Sequence, residues 1–105
     1  MNSEQQKILR AKVNMETSRI EWKELQRFFA GGAAVQVSTQ LDLVEVALQM
    51  HIDNKTQIES WLSAGTIGKV TDEQAAAWLA AETEVWAVVV SPWVLVQNIV
   101  TTAAS

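Results

Sequence analysis

The chain has 105 residues, no cysteine, one histidine, five tryptophans and a net charge of −4, with 49% apolar and 19% charged residues. That composition describes one domain able to fold without staples; it excludes a disordered chain, a disulfide framework and a thiolate site. The charge is uneven, net +2 over residues 1–27 and net −6 over 28–105, so a basic arm is expected to pack on an acidic body, in cis or across a dimer, and a large nucleic-acid footprint is disfavoured.

Residues 1–14 read as an N-terminal helix or arm. Glu4, Lys7, Arg10 and Lys12 leave no apolar core for a signal peptide, and Ile8, Leu9 and Val13 form the apolar side of a helix over about 4–13. Helix starts are expected wherever Ser, Thr or Asn is followed three residues later by an acid or amide. This occurs at Ser3…Gln6, Ser18…Glu21, Thr39…Asp42, Asn54…Gln57 and Thr71…Gln74. A second helix is expected over about 19–30, with Trp22, Leu25, Phe28 and Phe29 on one stripe and Gly31-Gly32 as its stop.

Residues 33–37 read as a short strand. A mostly apolar third helix spans about 41–52. The fourth, about 55–64, turns Ile58, Trp61 and Leu62 inward and ends at Gly65. Ile67 to Val70 reads as a short strand, and a fifth helix over about 72–81 offers Ala75, Trp78 and Leu79. From Val85 to Ser105 there is no charge. Residues 84–90 read as a strand that is apolar on both faces and so covered twice, with Trp86, Val88 and Val90 on one face and Val85, Ala87 and Val89 on the other. Pro92 bends or ends it. Trp93 to Gln97 reads as a further strand or an arm, and 98–105 as a frayed tail. The apolar runs 85–90 and 93–96 are far shorter than the roughly 20 residues that span a bilayer, so no membrane segment is expected. The expected fold is α+β: one domain over 1–105, with about five short helices on a small mixed, partly parallel sheet.

Three stretches, Ile20 to Ala30, Leu41 to Ala47 and Trp86 to Gln97, resemble the family of short bacterial proteins catalogued as domain of unknown function 2288. The resemblance runs from about residue 8 to 98, and the Ser91-Pro92-Trp93-Val94-Leu95-Val96-Gln97 ending is its most specific part. It implies a stand-alone cytoplasmic bacterial protein with no assigned activity, and it transfers no functional residue.

Each residue set that could carry chemistry has a plainer structural reading. Trp22, Trp61 and Trp78 fall on apolar helix faces and read as core. His51 has no Cys or His neighbour, and Asp42, Glu45 and Asp53 read as cap and solvated charges. No catalytic residue, cofactor or metal is therefore expected, and the chain reads as a non-enzyme. What remains is a binding module. It is expected to self-associate as a homodimer through its uncharged C-terminal strand, with Trp86, Trp93, Val94 and Val96 at the interface; an unknown protein partner is the wider version. Arg19, Lys23 and Arg27, at i, i+4 and i+8, form a candidate polar binding patch. The alternative is a small-molecule or nucleic-acid binder that uses a Trp-lined pocket or this stripe.

Overall fold

The computed structural model describes residues 3–99. Helix α1 (Ser3–Glu16) leads into strand β1 (Ser18–Glu21), a 3-10 turn (Trp22–Leu25) and the short helix α2 (Gln26–Ala30). Then come β2 (Ala34–Val37), α3 (Leu43–His51), α4 (Lys55–Ala64), β3 (Ile67–Lys69), α5 (Asp72–Ala80), β4 (Glu84–Val90) and β5 (Trp93–Asn98). The fold is α+β, with a five-stranded mixed sheet in the order β1-β4-β5-β2-β3. Only β2 and β5 run parallel; the other three pairings are antiparallel.

The sheet is covered on both faces, as the two-sided apolar pattern of β4 predicts, except at Val89, which is 57% exposed. On one face Val88, Val90 and Leu95 join Val13, Val46 and Ala47 in a core covered by α1, α3 and α4. On the other, Val85, Ala87, Val94 and Val96 join Trp22, Leu25, Ala75 and Trp78 under the 3-10 turn, α2 and α5. The chain thus supplies both layers itself.

The helix expected over 19–30 is broken. Residues 18–21 pair with β4, from Ser18 opposite Ala87 to Glu21 opposite Glu84, and the Trp22 amide donates to the Thr83 carbonyl at 2.9 Å. The unpaired edge of β4 overrides a helical spacing that local sequence alone would satisfy. The inward residues are nonetheless those of the stripe: Trp22 and Leu25 are buried, and Ile20, Phe28 and Phe29 pack beside them. Three further helical residues expected inside are exposed: Ile8, Leu62 and Leu79. Each sits next to another apolar residue, and a helix turns only one of two neighbours to the core. Asn98, placed in the frayed tail by the sequence, closes β5; the remainder of that tail from residue 100 lies outside the described residues.

Caps explain the helix limits. Asn54 and Thr71 accept from the Gln57 and Gln74 amides at 3.2 and 3.1 Å, as expected. The α3 cap is Asp42 itself, accepting from Val44 at 3.0 Å, rather than Thr39. At the other ends α2, α3, α4 and α5 close with the same pair of backbone bonds. In α5 these are Glu82 to the Leu79 carbonyl and Thr83 to the Trp78 carbonyl. This closure needs one left-handed residue. Gly32 and Gly65 fill it at φ 76°, but Asp53 and Glu82 adopt it at φ 55° and 50°. A glutamate there is strained. Glu82→Gly is therefore expected to raise stability by up to about 1 kcal/mol, seen as a higher urea midpoint with unchanged slope. A lower midpoint would show that the side chain contributes more than its backbone costs.

Candidate functional site

The C-terminal hairpin is where the sequence placed an interface. Ser91 and Pro92 form its turn, and β5 leaves that turn to lie between β4 and β2. Being hydrogen-bonded along both sides, β5 offers a second copy no edge. Val94 and Val96 are 2% and 0% exposed inside the chain's own second core, so they are not surface residues as expected. Trp86 is half-buried with the Arg19 guanidinium 5.7 Å from its ring centre. The C-terminal end of β5 is pinned by polar side chains. Gln97 Nε2 donates to the Ser38 and Leu41 carbonyls at 2.8 Å each, and Trp78 Nε1 donates to Asn98 Oδ1 at 2.8 Å.

The basic stripe does not form, because its three members lie on three different elements. Arg19, on β1, pairs with Glu84 at 3.2 Å. Lys23, on the 3-10 turn, pairs with Glu21 at 3.3 Å, and Arg27, on α2, lies 4.9 Å from the Phe28 ring centre. The spacing i, i+4, i+8 aligns residues only on a continuous helix.

Two of the three candidate carboxylates, Asp42 and Glu45, are also occupied. Asp42 caps α3. Glu45 forms an ion pair with Arg10 and accepts from Gln49 Nε2 at 2.9 Å; Gln49 in turn accepts from Asn54 Nδ2 at 2.8 Å. This chain of contacts ties α1, α3 and α4 together. Burial pushes the Glu45 carboxyl up, but the Gln49 amide and the Arg10 guanidinium outweigh it and hold the group below its ordinary value. A lowered native value stabilises the fold above the ordinary glutamate range, about pH 4.3, and that contribution is lost as pH falls through the native value. Glu45→Gln is thus expected to be less stable than the parent at pH 7, with the gap closing in acid. A gap that stays constant with pH, measured by urea unfolding, would refute this.

His51 is exposed at the last turn of α3. Asp42 lies at the opposite end of that helix, about 13 Å away by helical rise, so the two do not form an acid–base pair. Among the described residues no group of three or more His, Cys, Asp or Glu is placed to hold a metal ion.

Several clefts border the α1–α3–α4 layer. One, of about 370 Å³, runs along α1 past Lys7, Arg10 and Asn14 to Asp42. Another, of about 220 Å³, is almost wholly apolar. It is lined by Val35 and Ile67 of the sheet, by Met50, Ile58 and Leu62 of the helices, and by Trp93, Gly68 and Lys69. Leu62 is 52% exposed at this site. Of the expected interface residues, Trp93 alone lines it. The sequence did not reveal the cleft, since it draws on five elements from Val35 to Trp93. The one local sign was the Trp61-Leu62 pair, of which a helix buries only one.

No helix among the described residues is long and apolar enough to cross a membrane. Residues 8–98 match the family model described as "Protein of unknown function (DUF2288)". The fold is similar to the NMR solution structure of PA1075 from Pseudomonas aeruginosa, with a TM-score of 0.79 and 43% sequence identity over 100% of this chain and 97% of that one. No curated protein matches the chain.

Proposed function

We propose that this chain, which belongs to the DUF2288 family of proteins of unknown function, is a non-catalytic binding module whose binding surface is the apolar cleft between α4 and the β3 edge. One observation carries the reading: about 220 Å³ of open, almost wholly apolar space, framed by the exposed Leu62 and by Trp93. Apolar concavities of this kind favour ligands because filling them removes apolar surface from water. The Trp-lined pocket expected as an alternative is thereby preferred over self-association through β5. It is also preferred over a nucleic-acid strip, since Arg19, Lys23 and Arg27 are dispersed. Cytoplasmic residence belongs to the same proposal and rests on the cysteine-free sequence.

The test uses an uncharged apolar dye, Nile red. The dye is expected to bind the intact chain, and Leu62→Glu or Trp93→Ala to weaken binding by about tenfold or more, since either change removes apolar contact or introduces a charge. Circular dichroism controls for folding. Binding that is absent, or indifferent to both substitutions, would rule the cleft out.

A further inference from the structure

We propose that the cleft and the β3 edge together take an extended peptide segment as an added sixth strand, with an apolar residue in the cleft and an acidic residue, two positions away, on Lys69. This rests on the cleft being the binding surface and adds the class of ligand.

The register supplies the hydrogen bonds. The Val70 amide donates to the Ala34 carbonyl and the Ser38 amide to the Thr66 carbonyl, and Gln36 lies opposite Gly68. Residues 66, 68 and 70 therefore turn their backbone groups towards β2. In an antiparallel pair the intervening residues point the other way. Ile67 and Lys69 thus present their N–H and C=O groups outward, and among the described residues no backbone group outside the sheet bonds to them. Lys69 is exposed and Gly68 half-buried, whereas Ile67 is 6% exposed, so the edge is open chiefly at its Lys69 end. An extended peptide is the ligand that satisfies two donors and two acceptors at strand spacing.

The side chains supply the specificity. Ile67 and Lys69 lie opposite Val37 and Val35, so both stand on the sheet face that bears the cleft. An added strand places residues i and i+2 on that same face, opposite these two. Beside Ile67 is the apolar space of about 220 Å³, more than the ~150 Å³ that admits a benzene-sized group, so one large aliphatic or aromatic side chain fits. Lys69 has no ion-pair partner among the described residues, whereas Arg10, Arg19 and Lys23 each have one. A carboxylate opposite it gains a charge-assisted contact that competes with no internal pair. The β1 edge has no such setting: Arg19 and Glu21 there are already paired.

The experiment titrates the full chain with the acetylated, amidated heptapeptide Thr-Thr-Glu-Thr-Leu-Thr-Thr and follows backbone amide NMR signals. Saturable shifts centred on Ile67 and Lys69 are expected. Replacing the peptide's Glu by Gln, or Lys69→Gln in the protein, should weaken binding by about tenfold, and N-methylation of alternate peptide amides on the edge-facing side should abolish it. If Nile red binds in a Leu62-dependent manner but the peptide does not, or binds equally with N-methylated amides and with Lys69→Gln, the strand-addition inference is overturned and the cleft reading stands. If neither the dye nor the peptide binds, both are overturned.

Discussion

A chain ending at Pro92 is expected not to fold. The truncation removes β5, which sits between β4 and β2 and joins the β1–β4 pair to the β2–β3 pair. It also removes Val94, Leu95 and Val96, at 2%, 0% and 0% exposure, from both cores at once. Each such side chain contributes about 1.5–3 kcal/mol by burial alone, and the lost ladder bonds leave two strand edges unsatisfied in the middle of the molecule. Against a total stability of about 5–15 kcal/mol for a domain of this kind, little would remain. The truncated chain should show no cooperative thermal transition by circular dichroism and should aggregate in light scattering. A monodisperse truncated monomer with a cooperative melt would show that the sheet closes without β5. Loss of a dimer on truncation is therefore not the expected reading of such a variant; loss of the fold is.

Trp22→Ala is expected to lower stability by about 3–5 kcal/mol, the range for deleting a large buried aromatic side chain. Trp22 is 0% exposed, with its ring centre 4.9 Å from that of Trp78 and 5.8 Å from that of Phe29. The informative partner is Trp22→Phe. The buried Trp22 Nε1 has no hydrogen-bond acceptor among the described residues. Phenylalanine therefore keeps a ring and removes an unsatisfied donor, which offsets part of the lost volume. Trp78→Phe lacks that compensation, because it breaks the 2.8 Å bond to Asn98. The predicted order of urea midpoints is parent, Trp22→Phe, Trp78→Phe, Trp22→Ala. Finding Trp22→Phe as costly as Trp78→Phe would mean that the Trp22 N–H is satisfied in solution.

Features that depend on short-range chemistry were legible in the sequence alone. Helices α4 and α5 begin at Asn54 and Thr71 because those side chains bond amides three residues on. Strand β4 was readable because alternation on two apolar faces needs only its own residues, whereas Pro92 marked where the run breaks and left Trp93 to Gln97 open as a strand or an arm. Family membership was legible in three stretches, the most specific of which builds this hairpin. Even in the broken second helix the inward set was legible, with Trp22 and Leu25 buried and Phe28 and Phe29 partly so, since hydrophobicity selects what turns inward whatever the backbone does.

Tertiary structure decided the rest. Residues 18–21 became a strand because β4 had an edge to fill, which no window around Ile20 records. Val94 and Val96 became core rather than interface because β5 is central, and strand order depends on pairings between residues some 60 positions apart. Arg19, Lys23 and Arg27 separated when their helix did. The apolar cleft exists only where α3, α4 and three strands converge, so no local pattern announced it. Local propensity and capping act within a turn or two of chain, whereas edges, layers and cavities arise from which surfaces meet, and that is settled only when the whole chain packs.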